Sequence, residues 1–368
     1  MNDDNRLLYQ IALTLIPGIG DIQGKKLVAY CGGAEAVFRE KKKNLMKIPG
    51  IGRSLAGSVN QRDIFQRALQ EMKFICQYDI EPLFYLDARY PDKLKHCEDG
   101  PMMVYFKGKA NLSQKRILSV VGTRMPTDYG KSVCDQVVRE LSEHGVLIVS
   151  GLAYGVDTIA HRTAMAVGLP TVGVLAHGLD QVYPYVNRPM AEKMIENGGL
   201  MTEFLSQTRL NRDYFPRRNR IIAGIADATL VVESAEKGGA LITADIANSY
   251  SRDVFAIPGR ITDPRSSGCN MLIKKNKAAL VHSAADICYM MDWNQAVKIS
   301  HIQQKLFTEL NEQERKIMEW LDERKEADID EIYLHSAMTA SKVAAILLKL
   351  EFEGLIQSLP GKRYRVNS

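Results

Sequence analysis

The segment RLNRDYFPRRNRIIAG, residues 209–224, sets Arg209, Arg212, Arg217, Arg218 and Arg220 against a single acid, Asp213, with Tyr214 and Phe215 between them. Guanidinium forks match phosphate oxygens, and an exposed aromatic ring offers a flat face to an unstacked base. That mixture is the footprint of single-stranded nucleic-acid binding, although a basic loop taken alone is more often a solvated surface. Arg217 and Arg218 are accordingly expected to be exposed loop residues that contact phosphates.

Three further stretches supply anion-binding turns. VVGTRMPTDYG places Gly122, Thr123 and Arg124 where a strand turns into a helix, so backbone N–H groups, a hydroxyl and a guanidinium could meet one phosphate. SGLAYGVDTIAH offers Ser150 and Gly151, and VVESAEKGGALITADIA offers Lys237, Gly238 and Gly239 before a helix that begins near Ala240. Three anion sites on one sheet edge favour a chain of phosphates over a mononucleotide. The plainer alternative is that these glycines only permit tight strand-to-helix connections.

Enzymatic signatures are missing. The chain has no GxSxG elbow, no GxGxxG dinucleotide fingerprint and no GxxxxGK[ST] loop. Asp157 and His161 lie four residues apart at a helix start, where they cap or brace the turn. A phosphoribohydrolase-type enzyme is the rival reading, but KGGALITAD departs from its PGGxGTxxE loop. The histidines lack metal-ligand spacing, and the six cysteines form no CxxC pair, so we expect no metal, no cofactor, no catalytic residues and reduced thiols.

The elements that must hold these turns emerge from the patterning. Residues 115 to about 291 alternate apolar β-rich runs with helical segments, beginning ILSVVGT and VLIVSG, which implies an α/β, Rossmann-like doubly wound, mostly parallel sheet. Residues 78–108 read as extended pieces forming a connector packed on that sheet. Residues 1–70 read as a helical domain carrying IPGIG twice, at 16–20 and 48–52, as paired helix-hairpin-helix (SAM-like) turns. Arg53 and Ser54 follow the second copy and could bind phosphate, whereas Asp21 follows the first and would repel it; pure scaffolding is the alternative. After a linker at 292–304, three helices and a hairpin turning at Pro360-Gly361 suggest a winged helix. Its candidate recognition helix, TASKVAAILLKLEFEG, mixes Lys342 and Lys349 with Glu351 and Glu353, a weak case for groove binding that favours a partner role over transcription regulation. The expected domains are 1–70, 71–295 and 305–368. With 368 residues, a formal charge of +5 and a pI near 8.7, the chain is globular and mildly basic. Its acidic N-terminus and short apolar runs fit a cytoplasmic protein with no membrane partner.

Taken in order, GTRxxTxYG, SGLAYGVDxxAH, FPRRNRIIAG, VVES, GGALITA and VFAIPG resemble the DNA-processing protein A family, also called Smf (DprA/Smf), over roughly residues 80–290. The first motif carries Thr123 where Ser is common, which keeps the hydroxyl, and the second reads Gly155-Val156-Asp157 where the family has GID. The resemblance implies a homodimeric single-stranded DNA-binding protein that helps load the RecA recombinase during natural transformation and competence. It places the DNA pocket on Gly122, Thr123, Arg124, Ser150, Gly151, Phe215, Arg217, Arg218, Lys237, Gly238 and Gly239, and the dimer surface toward CNMLIKKNKAALV.

Overall fold

The computed structural model describes residues 3–59, 62–293, 311–324, 326–336, 338–352, 355–359 and 363–366. Most of the linker read at 292–304, the 294–295 and 305–310 domain ends and the Pro360-Gly361 turn lie outside them. The chain forms two compact units, Met1–Val297 and Lys298–Ser368.

The first unit opens with α1 (Asp3–Thr14), α2 (Asp21–Cys31), α3 (Ala34–Arg39), α4 (Lys42–Leu45), α5 (Arg53–Ser58) and α6 (Arg62–Gln77). The IPGIG turns link α1 to α2 and α4 to α5. Gly18 and Gly50 take φ of +78° and +86°, a region that side-chain-bearing residues rarely adopt. Ile16, Ile19, Ile48 and Ile51 are buried in the helical core. The two turns are not equivalent. A Cβ on Gly18 would lie 2.9 Å from Leu55 of α5, whereas one on Gly50 would meet nothing within 4 Å. The first turn is packed and the second open.

Next come β1 (Glu81–Phe84), α7 (Asp92–Lys95) and β2 (Met103–Gly108). The segment expected to be a connector is thus two strands of the sheet, paired antiparallel to each other and, through β2, to β6. Phe84, Met102, Met103 and Tyr105 share the core of the helices, and α6 runs past residue 70, so no apolar seam separates the helical region from the sheet.

The alternation continues as β3 (Ile117–Val121), α8 (Asp128–Glu140), β4 (Leu147–Ser150), α9 (Val156–Ala166), β5 (Thr171–Val174), α10 (Arg188–Asn197), β6 (Gly199–Thr202), α11 (Tyr214–Ile225), β7 (Ala228–Val231), α12 (Gly239–Ser249), β8 (Asp253–Ala256), α13 (Ser267–Lys274), β9 (Ala279–Leu280) and α14 (Ala284–Met290). The nine strands lie in the order β1-β2-β6-β5-β4-β3-β7-β8-β9, parallel from β6 to β9. Successive residues of β3 feed opposite cores: Ile117 and Val121 pack on one face, Leu118 and Val120 on the other. Burial on both faces explains its continuous apolar sequence.

The second unit contains α15 (Glu312–Arg324), β10 (Ala327–Asp328), α16 (Ile329–Ser336), α17 (Ala340–Phe352), β11 (Ile356–Leu359) and β12 (Arg363–Val366). Its strands pair as β10-β12-β11 over a core of Ile317, Leu321, Ile332, Val343, Leu347 and Leu350, a winged helix.

Candidate nucleic-acid interface

After β3 the chain builds β4, β5 and β6 on one side, then returns through α11 to place β7 against the other edge of β3. The loops leaving the carboxyl ends of β3 and β7 therefore diverge, and such a switch point opens a crevice for ligands. A cleft of about 320 Å³ occupies it. Gly122, Thr123, Arg124, Phe215, Arg218, Gly238 and Gly239 line this cleft, seven of the eleven residues singled out in the sequence.

A buried carboxylate ties its two walls together. Glu233, just beyond β7, accepts hydrogen bonds from Thr127 N and Thr127 Oγ1, each at 2.8 Å, while its backbone carbonyl accepts from Thr123 N at 2.7 Å. Thr127 also caps α8, accepting from Gly130 N at 3.1 Å. The turn after β4 presses on the same loop. Gly155 has φ +77°, and an added Cβ would lie 2.6 Å from the Arg124 carbonyl carbon. Asp157 braces this second turn from beneath, accepting from Gly151 N at 3.1 Å and Ala153 N at 3.2 Å, as its position early in α9 suggested.

Arg124 is exposed, and its guanidinium lies 5.5 Å from the centroid of the Phe215 ring, which Tyr183 meets edge-on. Among the described residues no carboxylate pairs with Arg124. Its charge is therefore available to an anion, and the ring beneath holds the side chain over the cleft. Opposite, α12 starts at Gly239 with Gly238 as its N-cap, and its first turn faces the cleft through Gly238, Gly239 and Ala240. Unbonded N–H groups at a helix start add positive potential there.

The arginine-rich segment departs from the expected exposed loop. From Tyr214 it is helical, and its arginines part company. Arg218 is 4% exposed and donates through Nη1 to the carbonyls of Gly151 and Val174 and through Nε to Asn219. Burial pulls its pKa down to about 10 against the opposing influence of Asp157. It forms the floor of the cleft and locks the turn after β4 in place. Arg217 reaches the other way, 2.6 Å from Glu203 and over the ring of Phe204, and Arg220 shares Glu203 at 2.6 Å.

The remaining sequence candidates sit outside the lining. Ser150 is fully buried and donates to Val120 O at 2.6 Å. Gly151 lies beneath Arg218, and Lys237 stands exposed on the rim turn before α12. Sequence reasoning passed over Asn219, Ser234 and Thr243, polar residues that line the cleft. Thr243 lies one helical turn beyond Gly239, a spacing that was available as a signal.

His161 is fully buried on α9, its Nδ1 2.7 Å from Thr171 Oγ1, and burial lowers its pKa to about 3. It is a neutral core histidine. Among the described residues no group of acids, histidines and cysteines could hold a metal, and no helix is long and apolar enough to cross a membrane.

The family model described as DNA recombination-mediator protein A matches residues 81–292, and the DprA winged helix domain matches 307–362. Protein Smf of Synechocystis is 31% identical over 97% of this chain and 98% of its own, and DNA processing protein DprA of Bacillus subtilis is 40% identical over 54% of this chain and 67% of its own. The crystal structure of DprA from Streptococcus pneumoniae superposes with a TM-score of 0.63 at 30% identity, covering 77% of this chain and 97% of that one. The Helicobacter pylori protein, whose structure describes its single-stranded DNA binding mode, gives 0.53 at 26% identity over 58% of this chain and 96% of that one. This chain belongs to the DNA-processing protein A (DprA/Smf) family of DNA processing and recombination proteins.

Proposed function

We propose that the protein binds single-stranded DNA in the switch-point cleft with little sequence preference. The observation that carries this reading is the Arg124 guanidinium, free of any carboxylate among the described residues and held over Phe215 opposite the N-terminus of α12. A cation, a stacking face and backbone donors recognise phosphate and base plane, which all nucleotides share. The single-stranded DNA binding mode described for the Helicobacter pylori relative supports it. Asp157 and His161 are engaged with their own framework, which favours a binding role over an enzymatic one.

The family's description as a recombination mediator supports a further step, in which the protein, acting as a cytoplasmic homodimer in natural transformation, presents the strand to RecA. Titrating a labelled single strand and its duplex tests the first step. Tighter single-strand binding is expected, and Arg124→Ala should weaken it for all sequences and shallow the log–log salt slope by about 0.7. Preference for duplex, or an unchanged slope, would overturn the assignment. RecA filament assembly measured with and without the protein tests the second step.

A further inference from the structure

We propose that the bound strand does not end in the switch-point cleft but crosses the turn after β3 into a second cleft, where Tyr129 takes a base and Arg260 a phosphate. This rests on the single-stranded DNA reading above and lengthens its track.

The second cleft, about 620 Å³, is lined by Thr127, Tyr129, Pro258, Gly259, Arg260 and Asp263, among others. Thr127 lines it at one end of the turn whose Thr123 and Arg124 line the first cleft; Arg265 Nη1 donates to Met125 O of that turn at 2.8 Å, and Tyr129 OH donates to Pro258 O at 2.8 Å within the second cleft. The two clefts therefore flank one turn, residues 122–127. They also share a composition. In the first, Arg124 stands with Phe215; in the second, Arg260 stands with Tyr129, whose ring is half-exposed. The Arg260 side chain is exposed and makes no hydrogen bond or ion pair among the described residues.

Neither nearby acid pairs with Arg260 among the described residues. Asp263 is turned into its own loop, accepting from Arg265 N at 2.9 Å and Ser266 Oγ at 3.2 Å, and Asp128 pairs with Lys131 at 2.8 Å. Between and beside the clefts, Met125 and Ile261 are 69% and 95% exposed. Isolated apolar side chains at such exposure are ordinary, but here they border a path with a free guanidinium and a ring at each end. A polyanion carrying flat apolar bases fits that repeat, since each nucleotide brings both a phosphate and a π-face.

The test is a titration of oligothymidylates of increasing length against the full chain and its Arg124→Ala, Arg260→Ala, Tyr129→Ala and Tyr129→Phe variants. Arg260→Ala and Tyr129→Ala should bind long strands about tenfold more weakly, with Arg260→Ala lowering the salt slope by about 0.7, while binding the shortest competent oligomer like the parent. Tyr129→Phe keeps the ring and should bind like the parent. If Arg260→Ala binds long strands with parental affinity and slope while Arg124→Ala is weakened, the extension is wrong and the first cleft stands. If Arg124→Ala is also unaffected, or the parent binds no single strand, both readings fall. Because the Arg260 side chain is unbonded, its truncation probes the track without disturbing the fold.

Discussion

Asp21 and Arg220, 199 positions apart, meet at 3.0 Å. Asp21 opens α2 directly after the first IPGIG turn, and its other oxygen accepts from Met102 N at 2.8 Å. Arg220 lies in α11, shares Glu203 with Arg217 and donates to Asp99 O. The acid that would repel phosphate at the first hairpin is the clamp that fixes the helical region to the sheet. The duplicated turn thus divides its labour: the first copy, tight against Leu55, anchors, while the second stays open with Arg53 and Ser54 exposed.

Replacing Asp21 by Ala leaves Met102 N without its acceptor and strips one partner from a mostly buried guanidinium. Because Glu203 still holds Arg220, we expect a loss of about 2 kcal/mol, less than for a buried charge left fully unpaired. Chemical denaturation of the full chain measures it. A loss below about 0.5 kcal/mol would show that the clamp contributes nothing.

Arg218 and Arg124 should separate cleanly. Arg218→Ala removes a buried guanidinium, orphans the carbonyls of Gly151 and Val174, and should lower stability by about 3 kcal/mol. Arg124→Ala, on an exposed loop, should change stability by no more than about 0.5 kcal/mol. Parallel denaturation of the two variants decides the matter; equal stabilities would refute the structural role of Arg218.

Gly155→Ala probes the contact between the two turns. The substitution puts a side chain on a left-handed backbone and drives its Cβ into the Thr123–Arg124 peptide. We expect a loss of about 2 kcal/mol or more, together with weaker single-strand binding as the Arg124 loop is displaced. Parental melting and affinity would mean that the loop yields freely.

Much of the fold was legible because its signals are local. The parallel strands read as apolar runs between helices since both faces are covered, and the glycine-bearing turns stand where the sheet edge requires them. The fate of the arginines was not. Tyr214–Arg220 reads as a basic loop by composition, yet Pro216 sits in the first turn of α11, where its missing N–H leaves no bond unmade. Once the segment is helical, spacing sorts the charges: Arg217 and Arg220, three apart, share Glu203, while Arg218 turns toward β4 and β5. Their partners, Asp21, Gly151 and Val174, are 44 to 199 residues distant, and no local pattern announces them.

His161 predicts a pH dependence of stability. In the folded chain its pKa lies at about 3, depressed mainly by burial and also by Arg218, against 6.5 for the free side chain. Below about pH 6.5 the unfolded chain therefore takes up a proton that the folded chain refuses, so stability is lost as pH falls from about 6.5 toward 3. The slope approaches about 1.4 kcal/mol per pH unit for one group, giving a loss of about 1–2 kcal/mol by pH 5. Burial lowers His177 as well and raises Asp157 and Glu203, so the total curve mixes opposing contributions. The difference between the parent and His161→Leu isolates the one group: the parent should weaken more steeply than the variant between pH 6.5 and 5, and the two curves should run parallel above pH 7.5. Denaturant midpoints of both proteins across that range provide the measurement, and curves that stay parallel down to pH 5 would mean that His161 accepts its proton without unfolding.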